Sequence, residues 1–329
     1  MSTAESTTSP LRDRVETVFS VRPLTVGLAL FWIWVLARWT TDFVLAGVFG
    51  LDRGAPFVPA APFLTTADTV ASLATPLGAA GAPLVWLADT LRFTADATAY
   101  LPALAHGIWT TVLLTVFSVC LGFMLALPLS VVRVYGGRWA RWFALSYTEL
   151  IRGTPLLAQL FVLYFATSLT QVLRGVPGVG VGFIPAQAFW VAVISFTLNS
   201  AAYQSEYLRA SLESVDGGQL TAARAIGLSK LEGIRYVVVP QGLRLALPSW
   251  TNELVYLIKY SSLASFITVQ ELYGRTSTLA NETYQYTELF VLVAILYLAL
   301  VVSASALMDR VESHTATAGV GHTRQWPLS

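Results

Sequence analysis

The chain has 329 residues, of which 55% are hydrophobic and only 12% are charged, with a mean hydropathy of +0.63 and a net charge of +1. Soluble domains carry about a quarter charged residues, so this composition indicates a membrane protein and gives no basis for nucleic-acid binding. One cysteine and three histidines without ligand spacing exclude an internal disulfide and a cysteine-cluster metal site. No GxxxxGK[ST] phosphate loop occurs, so the chain cannot hydrolyse ATP itself. We predict no catalytic residue, no metal and no cofactor.

Four stretches contain no Asp, Glu, Lys or Arg and reach the roughly 20 apolar residues that a membrane-spanning helix needs: 107–132, 153–173, 175–205 and 289–308. The third begins with the run GVPGVGVGFIP at 175–185, which is typical of an external loop, so its helix is expected from about Ala186.

Two further spans contain charged residues. One is predicted from about Leu245 to Ile267 and includes Glu253 and Lys259. The other is predicted over 24–49 and is interrupted by Arg38 and Asp42. The sequence therefore predicts an all-α membrane protein with six transmembrane helices.

The segment between the first two predicted spans is harder to assign. Residues 69–91 are apolar, but Pro76, Gly78, Gly81 and Pro83 argue against a straight helix. We interpret 50–103 as an external insertion with an interfacial or re-entrant piece.

Positive charge sets the predicted orientation, because cytoplasmic loops are enriched in Lys and Arg. Six spans with the N-terminus inside place most of the 20 basic residues on the inner face, whereas a seventh span at 69–91 would move the N-terminal arginines outside. The predicted organisation is listed here: 1–23 cytoplasmic tail, 24–49 extra helix, 50–103 external insertion, 104–309 core, 310–329 cytoplasmic tail.

The loop at 216–240, DGGQLTAARAIGLSKLEGIRYVVVP, carries strong helix signals. Asp216 with Gln219 and Ser229 with Glu232 have the spacing of capping boxes. Gly227 between them suits a left-handed helix end, and Pro240 is predicted to stop the second helix. The sequence predicts a rigid cytoplasmic helix–glycine–helix hairpin.

This hairpin resembles the signature loop of membrane subunits of ATP-binding-cassette (ABC) importers. Ala222, Ala223, Gly227 and Pro240, with Val237 and Val239, match that pattern at the expected intervals, while Thr221 stands where the family has Glu. Other stretches are similar to the polar amino-acid importer subgroup, which includes histidine and glutamine permeases: ELIRGTPLLAQLF (149–161), SFTLNSAAYQSEYLR (195–209) and TNELVYLIKYSSLASFI (251–267).

The resemblance implies a five-helix type I importer core, preceded here by one extra helix, in a multi-pass protein of the cell membrane. It implies a dimer with a second copy or a paralogue, a hairpin docked on a separate cytoplasmic ATPase, and an extracytoplasmic binding protein that delivers an amino acid. A secondary transporter or channel that is not coupled to an ATPase is the alternative. It would need paired intramembrane acids for ion coupling and would usually have an internal repeat, and we find neither.

Polar residues inside the predicted spans are candidates for the substrate pathway, since intramembrane ionisable groups are costly. The candidates are Asn199, Asn252, Lys259, Ser261 and Ser262. Each could instead be structural, as polar side chains often hydrogen-bond between membrane helices. For Glu253 we favour an ion pair with Arg244 or Arg209.

Overall fold

A computed structural model describes residues 10–50, 52–181 and 184–315, and every regular element within those ranges is helical. The predicted all-α class is therefore confirmed. Residues 1–9 and 316–329 of the two predicted tails, and residues 182–183 of the predicted external loop, lie outside the described residues.

Thirteen α-helices occur in the described ranges: α1 Pro10–Thr40, α2 Ala46–Phe49, α3 Ala61–Ala74, α4 Ala82–Tyr135, α5 Arg138–Arg152, α6 Leu156–Phe161, α7 Leu169–Arg174, α8 Gln187–Glu213, α9 Gly217–Ala225, α10 Lys230–Gly233, α11 Val239–Tyr260, α12 Leu272–Thr283 and α13 Tyr286–Thr315. Five shorter segments join some of them: π-helical Thr41–Leu45, Val162–Ala166 and Ile234–Val238, and 3-10 helical Thr75–Gly81 and Ser261–Ile267.

Three helical stretches among the described residues are long and apolar enough to cross a membrane, namely Pro23–Leu45, Ala61–Tyr135 and Tyr286–Thr315. On α13, Val291, Ile295 and Leu298 are exposed. They recur at helical spacing, so one apolar stripe of α13 faces outward, as a lipid-facing helix requires. The count of six spans stays a prediction.

The predicted span at 153–173 is not one unbroken helix. The chain forms α6, a π-helical segment and α7 there, and Pro155 has an extended backbone (φ −60°, ψ 134°) just before α6. Thr167 is also extended and interrupts the helix a second time. Hydropathy averages over a window and does not register these local breaks. α5 and α12 were not predicted.

The chain forms two compact units, one up to Ala105 and one from His106. In the first, the 3-10 segment Thr75–Gly81 breaks the helical path, with Gly78 at φ 52°. This is the interruption that its prolines and glycines predict. Pro83 lies in the first turn of α4, where a missing N–H costs no helical bond.

The first unit also contains a buried ion pair in its apolar helical segment. Arg38 donates to both carboxylate oxygens of Asp42, with Nε 2.7 Å from Oδ2, and each residue is 1% exposed. The guanidinium also donates to the carbonyl of Ala55 and lies 4.8 Å from the ring centroid of Phe57. The two charges therefore neutralise each other and fix the following loop rather than breaking the span.

The second unit is organised around α8, which packs against α5, α6, α7 and α11. Small residues let neighbouring helices approach it closely. A Cβ built on Gly122 of α4 would lie 3.1 Å from the Ser200 Cβ, and one on Gly242 of α11 would lie 2.7 Å from Leu212 Cδ2. The core beneath is apolar and includes Leu160, Phe196 and Leu257.

Candidate functional site

The predicted hairpin is present, and its first helix has a side-chain cap. The Asp216 carboxylate accepts the N–H of Gly218 at 2.6 Å. The N–H of Gln219 donates instead to the main-chain carbonyl of Asp216, so the predicted capping box with Gln219 is wrong. The carboxylate still satisfies one of the open N–H groups at the start of α9.

The turn between the two helices has the geometry that glycine allows. Gly227 has φ +99°, and the N–H of Leu228 donates to the carbonyl of Ala223 at 3.1 Å. This bond pattern is that of a Schellman motif, which closes the end of a helix. The predicted left-handed helix end is therefore confirmed.

The second capping box is confirmed. The N–H of Glu232 donates to Ser229 Oγ at 3.3 Å, and the N–H of Ser229 donates to Glu232 Oε2 at 2.8 Å. The two reciprocal bonds fix the start of α10 directly after the turn.

The two hairpin helices pack closely at a glycine. A Cβ on Gly233 would lie 2.7 Å from Leu220 Cδ1 and 3.4 Å from the Cβ of Ala223. Ala223, Ile234 and Val238 are buried. The hairpin thus has a small apolar core of its own and is stiffer than a loop held only by its caps.

The predicted stop at Pro240 is wrong. The π-helical segment Ile234–Val238 joins α10 to α11, and Pro240 lies in the first turn of α11. Because the π turn changes the hydrogen-bonding register there, the missing N–H of proline does not end the helix. The second arm of the hairpin is therefore continuous with a core helix.

The outer surface of the hairpin carries three large exposed apolar side chains among polar and charged ones. Ile226 is 82% exposed, and Leu231 and Tyr236 are also strongly exposed. Thr221 is exposed too, and its hydroxyl donates to the carbonyl of Gly217 within the same helix. Exposed apolar groups on a polar loop are typical of a surface that a partner covers.

Replacing Gly227 with valine is expected to destabilise the hairpin by about 1–2 kcal/mol, because side chains strain a left-handed backbone. No atom lies within 4 Å of a Cβ built on Gly227, so the destabilisation comes from the strained backbone angle and not from a steric clash. Hydrogen exchange of amides in 217–233 should rise accordingly. Gly217→Ala is the matched control, since its Cβ also meets open space at an ordinary φ, and equal effects of both changes would contradict this reason.

The hairpin is also expected to loosen in acid. The hydrogen bonds from Ser229 lower the pKa of Glu232 below its ordinary value. The lowered pKa means that the carboxylate stabilises the hairpin above the ordinary Glu pKa, and this contribution is lost as the pH falls through the lowered pKa. The hydrogen-exchange rate of amides in 229–233, corrected for its intrinsic pH dependence, should show a stepwise increase as the pH falls through that pKa. A step that persists in Glu232→Gln would contradict the assignment.

An ion cluster lies at the end of α8 that leads into the hairpin. Glu206 accepts from Arg133 of α4 and from Arg209, whose Nε lies 3.0 Å away, and the Arg152 guanidinium of α5 is 3.7 Å from it. Arg209 also contacts Glu213 at 2.5 Å. The cluster joins α4, α5 and α8. A separate hydrogen bond links the hairpin to α4, because Lys230 donates to the Tyr135 carbonyl at the end of that helix. Sequence reasoning missed Glu206, although Glu206, Arg209 and Glu213 follow an uncharged stretch at helical spacing.

The predicted pathway residues lie in different environments. Asn199 is buried and donates to Gln159 Oε1 at 3.2 Å, while Asn252 and Lys259 are exposed. The hydroxyls of Ser261 and Ser262 donate to the carbonyls of Ile258 and Lys259 in their own helical turn.

The favoured ion pair of Glu253 with Arg244 or Arg209 is wrong. The Glu253 carboxylate accepts from Ser200 Oγ at 2.5 Å, and it forms no ion pair among the described residues. Arg209 is engaged by Glu206 and Glu213. The sequence separation of 53 residues between Glu253 and Ser200 explains why local pattern could not find this contact.

A helical, apolar chain with a capped hairpin continuous with its core fits a membrane-embedded transport component. Residues 118–317, more than half of the chain, match the family described as binding-protein-dependent transport system inner membrane component, and the chain belongs to that family. The predicted ABC importer resemblance is confirmed. The chain is the permease component, and ATP hydrolysis belongs to a separate subunit.

Several curated relatives match most of their own length. A nopaline transport system permease protein, NocM, of Agrobacterium fabrum is 34% identical over 63% of this chain and 85% of the relative. An octopine transport system permease protein, OccM, of Rhizobium meliloti is 37% identical over 64% of this chain and 84% of the relative. A probable amino-acid ABC transporter permease protein, YckA, of Bacillus subtilis is 36% identical over 65% and 90%.

Solved structures agree with this family. One described as an amino acid ABC transporter with histidines has a TM-score of 0.57 at 30% identity, covering 67% of this chain and 97% of that one. An inward-facing MetNI methionine ABC transporter has a TM-score of 0.56 at 20% identity, covering 65% of this chain and 97% of that one, and supports the fold alone.

Proposed function

We propose that this chain is the permease of an ATP-driven importer of polar amino acids, with the hairpin at 216–240 as the contact to the ATPase. The observation that carries this proposal is the hairpin itself. It is capped by Asp216 and Ser229, turned at Gly227, and apolar on its outer surface at Ile226 and Leu231. The relatives that transport opines and amino acids support the substrate class.

The proposed arrangement is supported by the apolar stretches of the sequence, the distribution of its basic residues and the family of the chain. The chain has six spans with both termini in the cytoplasm, pairs with a second permease, and receives its substrate from an extracytoplasmic binding protein. The hairpin residues Asp216, Gln219, Thr221, Ala222, Ala223, Gly227, Ser229, Glu232 and Pro240 form the coupling loop. Because α10 continues through the π turn into α11, a push on the hairpin acts directly on a core helix.

The substrate pathway in this proposal includes the buried amide of Asn199 and the residues Asn252, Lys259, Ser261 and Ser262 of α11 and the segment after it. Membrane lipid surrounds the apolar outer faces of α1 and α13. Exposed Leu30 and Ile33 on α1 have the same character as the outward stripe of α13.

The test is uptake by proteoliposomes that contain this permease with its ATPase, supplied with the solute-binding protein. We expect amino-acid uptake that requires ATP, the ATPase and the binding protein together. Uptake driven by an ion gradient without ATP would contradict the proposal and favour the secondary transporter.

A further inference from the structure

Helix α5 has a buried face, an exposed apolar face and an exposed basic edge. Ala144 and Thr148 form the buried face, and α5 packs against α8. Trp139 is 83% exposed, and Phe143 and Leu150 are also strongly exposed. At 100° per residue these three side chains fall within about 40° of one another on the helix, so they form one apolar stripe, called here the α5 stripe.

The basic edge consists of Arg138 and Arg141, one turn apart at the start of α5 and both exposed. Neither forms an ion pair with any residue of the described ranges, whereas the other arginines near α5 are held by Glu206 in the ion cluster. Arg141 Nη2 lies 3.4 Å from the carbonyl oxygens of Val134 and Gly136, which is long for a hydrogen bond. The two guanidinium groups therefore keep most of their capacity for an anion.

A cavity of about 490 Å³ lies along the first two turns of α5, and it is lined by Arg138, Trp139, Arg141, Trp142 and Leu145. Its volume is in the range of sites that bind small molecules. The lining combines two guanidinium groups with two indole rings. Trp142 lies between the basic edge and the α5 stripe on the helix, so the cavity joins the two exposed faces.

This lining fits a phosphate that is attached to hydrocarbon. A guanidinium group binds a phosphate through two parallel hydrogen bonds. The start of α5 adds to the attraction, because Gly137 has no side chain to cap the open N–H groups there. A free phosphate would use the arginines and leave the indole rings and the α5 stripe exposed, whereas a phospholipid uses all of them.

The start of α5 is held near the membrane surface by the helix before it. The uncharged stretch 107–132 lies in α4, and Arg138 follows the end of α4 by three residues. Lys230 of the hairpin donates to the Tyr135 carbonyl at 3.1 Å, so α5 begins on the hairpin side of the core. In the proposed orientation this is the cytoplasmic surface, whose leaflet is rich in anionic lipid.

We propose that Arg138 and Arg141, with Trp139 and Trp142, bind the headgroup of an anionic phospholipid, and that the α5 stripe lies in the hydrocarbon beneath it. Helices that lie in the membrane interface have this distribution, with basic residues on one face and Trp, Phe and Leu on the other. A bilayer supplies phosphate and hydrocarbon at adjacent depths, which matches the adjacent faces of α5. A protein partner would have to bury both faces at once.

The experiment is native mass spectrometry of the detergent-purified permease–ATPase complex, titrated with phosphatidylglycerol or with phosphatidylcholine of the same chain length. We expect phosphatidylglycerol to bind more tightly. Arg138→Gln with Arg141→Gln should weaken phosphatidylglycerol binding by about 25-fold, from about 5-fold for each arginine near an anionic lipid surface. Phosphatidylcholine binding should change little, because its headgroup has no net charge.

Arg174→Gln with Arg310→Gln is the matched control. Both arginines are exposed, lie outside the cavity and form no ion pair within the described part of the chain. This pair lowers the net charge by the same amount, so it should leave phosphatidylglycerol binding nearly unchanged. Arg138→Lys with Arg141→Lys keeps the charge of the site and should retain most of the binding.

A second pair of variants separates the apolar contact from the charge. Trp139→Ala with Trp142→Ala removes the indole rings and leaves both arginines in place. This pair should weaken the binding of both lipids, because it removes the contact with hydrocarbon that the two lipids share.

Phosphatidylglycerol binding that is unchanged in Arg138→Gln with Arg141→Gln, or weakened equally by the control pair, would overturn the inference. Equal affinity for the two lipids would do the same. Glycerol phosphate that binds as tightly as phosphatidylglycerol would identify a site for free phosphate instead. Cross-linking from Trp139→Cys, in a chain with Cys120→Ala, to the ATPase or to a second permease would identify a protein interface instead. Each of these results leaves the proposed function standing, since ATP-dependent uptake is measured separately.

Discussion

Arg38→Ala is expected to destabilise the first unit by about 3–5 kcal/mol, because it leaves the Asp42 carboxylate buried without its cation. Both residues are almost completely buried, and the guanidinium also bonds the carbonyl of Ala55. The free energy of unfolding of the permease in detergent, measured by denaturant titration, checks this prediction.

The double variant Arg38→Met with Asp42→Leu is the control for this prediction. Apolar residues of similar volume remove both charges together, and replacing a buried ion pair in this way is often neutral. The double variant should recover most of the lost stability. A double variant as unstable as Arg38→Ala would show that the bond to Ala55, rather than the uncompensated charge, determines the loss.

Gly233→Leu is expected to destabilise the hairpin by about 1–3 kcal/mol through overpacking, and to reduce ATP-driven uptake. A Cβ there already meets Leu220 Cδ1 at 2.7 Å, so a larger side chain must push α9 and α10 apart. The hairpin core that Ala223 and Ile234 form would open, and the outer surface would lose its shape.

The readouts for this variant are uptake and ATP hydrolysis by the same proteoliposomes. We expect uptake to fall. The free energy of unfolding of the membrane-embedded helices should change little, because the substitution lies in the hairpin. Gly217→Leu is the matched control, since a Cβ at Gly217 meets nothing within 4 Å. Equal uptake by the two variants would contradict a role for the packing between α9 and α10.

Local sequence patterns predicted the local structure of the hairpin. The Ser229–Glu232 capping box and the positive φ of Gly227 each depend on residues within one turn, so their spacing is visible in the sequence. The predicted stop at Pro240 is wrong because a π turn precedes the proline and leads into α11, and no local sequence pattern indicates such a turn. The charges of Arg38 and Asp42 appeared to interrupt a span, although their spacing of four residues is that of a helical ion pair.

Contacts between distant segments could not be predicted in this way. Glu253 meets Ser200 across 53 residues, and Arg133 meets Glu206 across 73. Whether an intramembrane carboxylate has an arginine or a serine beside it depends on the packing of α4, α8 and α11. The sequence shows that burying such ionisable residues is costly, but it does not identify the residues that contact them.

The most direct test of the central claim is site-specific cross-linking from Ile226→Cys, at the exposed tip of the hairpin, in a chain whose native Cys120 is replaced by alanine. If the central claim holds, we expect a cross-link to the ATPase subunit in the assembled complex, and a change in its yield when ATP is added. A complex that imports amino acids with ATP while residue 226 reacts only from the extracytoplasmic side, and never with the ATPase, would contradict it.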